Sequence, residues 1–300
     1  MPTRDIAVNN QLAQRIIDGL ITRTERKVQH AYLKALKNVR SEMADLYSRA
    51  SRRDGKLTLT EARKYNRLQA LEKKIQDQIS PVLNEAISEI ERLPARIYRE
   101  SYRLQNWVMD QALGVHLDFL SIPARVVRAA VENPLRKISE NRLRNITRNK
   151  IRSVVTQGII RGLGYQDMAK QIKDGINGTA SNAVTIVRTE GQRAAILGQQ
   201  AGYAEAEKRG VRGDVYWDAT LDSRTRPGHR AMDGRKRGDD GYYDSPVGKI
   251  KGPLQSGIAS WDVNCRCGER YQIEETSPQI RRSQEGGLIP YQTYSQWRNR

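Results

Sequence analysis

Residues 9–23 read NNQLAQRIIDGLITR, with apolar side chains at Leu12, Ile16, Ile17, Leu20 and Ile21. Steps of three and four residues return to one face of an α-helix, whereas a half-buried strand would alternate with period two. The spacing predicts one long helix from Asn9 to about Arg53. Beyond Gly55, Thr58 and Glu61 stand three apart, as a capping box requires, and open a second helix through Leu68, Leu71 and Ile75. Ser80-Pro81 restarts that helix and Pro94 repeats the signal, because a proline is tolerated in a first helical turn. Residues 1–120 are thus expected to form a long antiparallel helical arm, whose narrow apolar stripe suits pairing or docking.

Two further helices start at Ser121-Ile122-Pro123 and at Asn133-Pro134. The second is unusually basic: from Arg136 to Arg152 seven Lys or Arg stand against the single acid Glu140. At 100° per residue, Lys137, Arg144, Arg148 and Arg152 fall within about 80° of one another, with Leu135, Ile138, Leu143 and Ile146 largely opposite. One face reads as core and the other as a cationic stripe for phosphates. Beyond Gly162 and Gly164 come a short helix around Gln166–Asp174 and a longer one from about Ser181 to Lys208.

After Gly210 the texture changes. Val215-Tyr216-Trp217 reads as a short strand and residues 225–257 are loop-rich, so a small α+β domain is expected there. From about Thr276 periodicity is lost, which suggests a mobile or partner-bound tail. The fold class is therefore mainly α, with a small C-terminal α+β domain and a long N-terminal helical arm. Its expected divisions are the arm (1–120), a basic helical region (121–209), the α+β mini-domain (210–275) and the tail (276–300).

Composition agrees with an extended chain that needs partners. Apolar residues make up 38% of the 300, charged residues 29%, and Phe119 is the single phenylalanine. The net charge of +18 disfavours a compact free monomer and attracts polyanions, nucleic acid first among them. No run of eighteen apolar residues exists, so no membrane partner is expected, and Met1–Asp5 lacks the apolar core of a signal peptide. Cys265 and Cys267, one residue apart, would make a strained bridge that staples nothing, in keeping with synthesis in a cytoplasm.

The chemically versatile residues gather late in the chain. Trp217, Asp218, Asp222, Arg224, His229, Asp233 and Gly234 are followed by Asn264-Cys265-Arg266-Cys267. His229, Cys265 and Cys267 could offer three ligands to zinc, with an aspartate as a fourth. One Cys-x-Cys pair with a distant histidine falls short of the usual structural-zinc spacing, so no metal or other cofactor is expected. The bland alternative pairs Asp222 with Arg224 in a turn, puts Asp233-Gly234 in a tight turn, and packs Cys265 as a small hydrophobe. No nucleophile elbow and no glycine-rich phosphate loop is present, so no catalytic residue is assigned. A metal-dependent enzyme acting on nucleic acid through His229, Cys265 and Cys267 is the alternative reading.

Arg188-Thr189-Glu190 in a helix, then Trp217, Asp218, Asp222-Ser223-Arg224, His229, Asp233-Gly234 and Asn264-Cys265-Arg266-Cys267, resembles the phage Mu F-like family of minor head, or head morphogenesis, proteins. The resemblance spans roughly residues 150–272. Several separate motifs in one order make it more specific than any motif alone. The chain departs from some members in carrying Arg226 and Pro227 where others place a cysteine. The resemblance implies a tailed-phage structural protein that associates with the portal protein inside the procapsid, near scaffold or major capsid protein. It would enter the virion head and contact packaged DNA without sequence specificity.

Overall fold

The computed structural model describes residues 6–50, 56–63, 66–113, 117, 121–132, 140–273, 280–282 and 288–290. Six helices come first: α1 (Ile6–Ala50), α2 (Leu59–Arg63), α3 (Arg67–Leu113), α4 (Ala124–Val131), α5 (Glu140–Ile160) and α6 (Tyr165–Lys208). Short elements follow: β1 (Gly213–Asp218), α7 (Pro227–Arg230), β2 (Tyr243–Ser245), β3 (Gly248–Ile250), α8 (Ala259–Asp262), β4 (Gly268–Ile273), β5 (Ile280–Arg282) and β6 (Leu288–Pro290). The chain is mainly helical, and its C-terminal part carries short antiparallel strands in the orders β1-β4, β2-β3 and β5-β6.

The Thr58–Glu61 capping box forms: the Thr58 amide donates to Glu61 Oε2 at 3.0 Å and the Glu61 amide donates to Thr58 Oγ1 at 3.3 Å. Other boundaries differ from the sequence reading. The first helix begins at Ile6 rather than Asn9. α3 continues without a break through Pro81 and Pro94. An interior proline costs about 3 kcal/mol, but Ile79, Val82, Leu83, Ile87, Ile90, Leu93 and Ile97 are all buried around the two positions. At roughly 1.5–3 kcal/mol for each fully buried side chain, that face outweighs two prolines. Likewise α6 is a single helix where two were expected. Gly175 and Gly178 weaken it by about 1 kcal/mol each, against the burial of Ile172, Ile176, Ala183 and Val187 on either side.

α5 turns inward the arc assigned to the cationic stripe rather than the one opposite it. Thr147, Ile151, Val155 and Ile159 are buried at a four-residue repeat, whereas Ile146 is 48% exposed. The start of this helix at Asn133-Pro134, together with Leu135 and Ile138, lies outside the described residues. In the expected tail, the described residues form the β5–β6 hairpin, with Ile280 opposite Pro290; residues 291–300 lie outside them.

The chain divides into two compact units, whose limits cut across the sequence-based divisions. One holds residues 23–92 and 137–187, the other residues 1–22, 93–136 and 188–300. In the first, Lys27 pairs with Glu89 and Gln78 with Glu42, so α1 and α3 run antiparallel there as the arm required. Tyr32 is buried beside Thr147 of α5, and the Tyr47 hydroxyl donates to the Leu163 carbonyl at 2.7 Å. α1, α3 and α5 thus meet around a helical core.

The second unit is built around a close approach of α3 and α6. Ser101 Oγ donates to the Ala195 carbonyl at 2.6 Å. A Cβ at Gly198 would overlap the carbonyl oxygen of Tyr98, and one at Gly202 would lie 2.6 Å from Gln105 Cβ. Glycine at these two positions is what lets the helix backbones touch. Beside this contact, Ile6, Tyr102, Val108, Met109, Tyr203, Val211, Val215 and Tyr271 form one buried cluster, with the Tyr203 and Tyr271 rings stacked at 4.6 Å.

Candidate functional site

β1 and β4 pair antiparallel, Trp217 opposite Glu269 and Asp218 opposite Gly268. Alternation sends Val215 and Trp217 of β1, and Glu269, Tyr271 and Ile273 of β4, into the interior. Trp217 anchors a second buried cluster with Ile196, Met232, Tyr243, Leu254, Trp261, Cys265 and Cys267. The loops between these strands carry most of the residues singled out from the sequence.

Asp222 is 1% exposed and gathers the loop around its carboxylate. Oδ1 accepts from Arg266 Nη2 at 2.9 Å, the Arg224 amide at 3.0 Å and Thr225 Oγ1 at 3.0 Å, while Oδ2 accepts from Arg266 Nη1. The expected Asp222–Arg224 side-chain pair is the weaker contact, at 3.7 Å with Arg224 79% exposed. Arg266 is the main partner because its position beside β4 offers both guanidinium nitrogens at once, the geometry a carboxylate favours. Those hydrogen bonds hold the Asp222 carboxyl down at about 2.

Asp233 Oδ1 accepts from the Ala219 amide at 2.9 Å, and Gly234, at φ 75°, donates its amide to the Trp217 carbonyl at 2.9 Å. The expected Asp-Gly turn is present, and it ties the 233–235 loop to β1. On α6, Arg188 is exposed, whereas Thr189 and Glu190 are buried. Thr189 Oγ1 accepts from the Asn264 amide at 3.3 Å. Asn264 itself sits at φ 59°, a left-handed conformation that asparagine tolerates better than most residues.

Cys265 is packed as a small buried residue, as expected, and it has company. His229 on α7, Cys265 and Cys267 are 2%, 5% and 2% exposed. Nδ1 of His229 lies 3.4 Å from each sulfur, and the three possible ligand atoms lie within 4.8 Å of one another. Contact with the Cys267 thiol holds Cys265 below the ordinary thiol range, while the same contact and burial push Cys267 well above it.

Several residues that shape the site were given no role in the sequence reading. Arg226 donates to the Trp261 carbonyl at 2.8 Å and to the Val263 carbonyl at 2.5 Å, bracing the loop that leads to the cysteines. Asp262 is fully buried and accepts the Gly257 amide at 2.8 Å and the Ser256 amide at 3.3 Å. Glu269 occupies an inward position of β4 where alternation calls for an apolar residue, and that break in pattern was its signal.

Gln200 Nε2 donates to Glu269 at 2.8 Å. Burial pushes the carboxyl up to about 7, and it also presses the neighbouring Tyr243 hydroxyl upward, so that it stays protonated. A raised carboxyl pKa favours folding while the group is protonated. The contribution is complete below about pH 4.5 and fades as pH rises through about 7, an effect of order 3 kcal/mol. Glu269→Gln is therefore expected to melt several degrees higher than the parent at about pH 8 and to match it near pH 5. Equal melting temperatures at the higher pH would show that burial does not raise the Glu269 carboxyl.

A cavity of about 440 Å³ opens beside these loops, lined among others by Asp18, Gln199, Asp218, Asp222, Arg266 and Arg270. Its lining includes Ser101, whose hydroxyl is engaged with the Ala195 carbonyl. No histidine, cysteine or lysine reaches it among the described lining residues, so its chemistry is ion pairing and amide hydrogen bonding.

The four residues of the cationic stripe are less fully placed. Lys137 lies outside the described residues, as does the Arg144 side chain. Arg148 is half-buried, and Arg152, with its side chain 68% exposed, reaches Glu72 at 3.3 Å. No described helix is long and apolar enough to cross a membrane.

Residues 149–269 match the family of Phage Mu protein F like proteins, close to the 150–272 segment that carried the motif resemblance. The whole chain is similar to Minor head protein GP7 of Bacillus phage SPP1, 29% identical over 298 residues that cover 96% of each protein. It is also 31% identical over 144 residues to NAD(+)--arginine ADP-ribosyltransferase EFV of Enterococcus faecalis, a stretch that covers 48% of this chain and 30% of that protein. No solved structure matches the chain.

Proposed function

We propose that this protein is a structural minor component of a tailed-phage head, made in the host cytoplasm, that docks on the portal protein inside the procapsid and touches packaged DNA without reading its sequence. The observation that carries the proposal is end-to-end similarity: the match to the SPP1 minor head protein runs over 96% of both chains and so includes the helical segments as well as the Mu F-like part. The transferase name is not carried over, because the shared stretch is less than a third of that protein.

The alternative, an enzyme acting on nucleic acid through His229, Cys265 and Cys267, requires a substrate to reach side chains that are at most 5% exposed. A buried cluster walled by Trp217 and Trp261 suits holding loops together better than meeting a polymer.

DNA contact is supported by the charge of +18 and by a basic helix with one acid among its cations. Sequence-independent binding should weaken steeply with salt. If the stripe neutralises about four phosphates, log K should fall against log salt with a slope of roughly −3 to −4 on duplex DNA. Replacing Lys137, Arg144, Arg148 and Arg152 by Gln should flatten that slope; an unchanged slope in the quadruple variant removes the stripe from the DNA contact.

Portal association is tested by a pull-down with the phage's own portal protein, combined with mass spectrometry of purified virions. Retention on the portal and a few copies per particle are the expected results. Absence from virions overturns the reading.

A further inference from the structure

We infer that His229, Cys265 and Cys267 form a structural zinc site, with Nδ1 of His229 and the two sulfurs as three ligands and one position left to a non-protein ligand such as water. Nδ1 lies 3.4 Å from both sulfurs. A neutral imidazole nitrogen offers either one proton or one lone pair, so hydrogen bonding accounts well for one such contact and poorly for two. A single cation between the three atoms accounts for both. With Zn–N of about 2.0 Å and Zn–S of about 2.3 Å at a tetrahedral angle, the N to S edge comes to about 3.5 Å, within a tenth of an ångström of the spacing seen.

The surroundings favour zinc over a harder ion. The donor set is two sulfurs and one imidazole, soft to borderline ligands that magnesium and calcium do not prefer. Asp262 is not the fourth ligand, since its two carboxylate oxygens are committed to the Ser256 and Gly257 amides. The site is enclosed by Trp217, Met232, Leu254 and Trp261, with the His229 and Trp261 rings 4.3 Å apart. Enclosure of this kind gives the metal a clamping role: it would fasten α7 to the segment entering β4, across 36 and 38 positions of chain. This clamp requires neither portal docking nor DNA binding, and it stands or falls apart from them.

The full chain, expressed in zinc-supplemented medium and purified without chelator, is expected to carry one zinc per chain by elemental analysis and native mass spectrometry. Cobalt added to the metal-stripped protein should give the absorption of a tetrahedral thiolate complex. Cys265→Ser and Cys267→Ser each remove a soft ligand at nearly unchanged volume, and both should lose the metal and the cobalt spectrum. Stripping the parent with a chelator should lower its melting temperature, and one equivalent of zinc should restore it. Should either serine variant fail to fold, the stripped and reloaded parent still decides the matter through its cobalt spectrum. Substoichiometric zinc with no cobalt spectrum, a mass two hydrogens short that marks a Cys265–Cys267 disulfide, or zinc retained at full occupancy in Cys267→Ser would each overturn the inference.

Discussion

A chain that begins at Ser121 is expected to show no cooperative unfolding transition. The strands and the loops around Asp222 share a unit with residues 1–22 and 93–136, and the core beneath β1 and β4 includes Ile6, Tyr102, Val108 and Met109. Truncating a single buried side chain of that size costs about 2–5 kcal/mol. Removing four at once therefore reaches or exceeds the roughly 5–15 kcal/mol that holds a whole domain folded. The truncation also uncovers α6 at Gly198 and Gly202, where its backbone meets α3. Circular dichroism of residues 121–300 should show helix without a sharp melt, and residues 1–120 supplied as a separate chain should restore the transition. A cooperative melt of the truncated protein alone, within a few degrees of the parent, would show that the helical arm is separable.

That expectation marks the point where the sequence stops being legible. Leu12, Ile16, Ile17, Leu20 and Ile21 identify α1 as a helix, because three-to-four spacing is a property of the segment itself. They do not reveal that the first and later turns of α1 belong to different compact units, since that partition depends on what each turn meets. The same limit applies at Pro81 and Pro94: the local rule for proline is sound, but the long apolar face buried around both positions outweighs it. On α5, Ile146 and Thr147 are adjacent, and only packing decides that the threonine goes inside.

The site was legible in its residue types and less so in its pairings. Asp222, His229, Cys265 and Cys267 were all singled out, and all are buried in one small region. Arg224 was the natural partner for Asp222 by proximity in sequence. Arg266, distant in sequence and carried beside β4 by the pairing of Asp218 with Gly268, makes the stronger contact. Glu269 was readable as a charged residue in an inward register, but its proton depends on burial that only the fold supplies.

Asp222→Ala is expected to have the largest effect of any single substitution at the site. Breaking a buried ion pair from one side costs about 3–5 kcal/mol when the stranded partner stays dry. Arg266 is 41% exposed and can recover water, which moves the figure toward about 2–3 kcal/mol. The loss also strips acceptors from the Arg224 amide and the Thr225 hydroxyl, so the 220–226 loop loses its organising centre. A fall of roughly 5–10 °C in melting temperature follows for a unit of this size. The pH dependence separates this mechanism from simple loss of packing. The Asp222 carboxyl sits at about 2, below its unfolded value near 3.8, so its contribution is complete above about pH 4 and disappears as pH falls through about 2. Asp222→Asn keeps the volume and removes the charge. Its deficit relative to the parent in urea unfolding should be full at about pH 7 and visibly smaller by about pH 3. A deficit that stays constant over that range would assign the effect of Asp222 to shape rather than to its charge on Arg266.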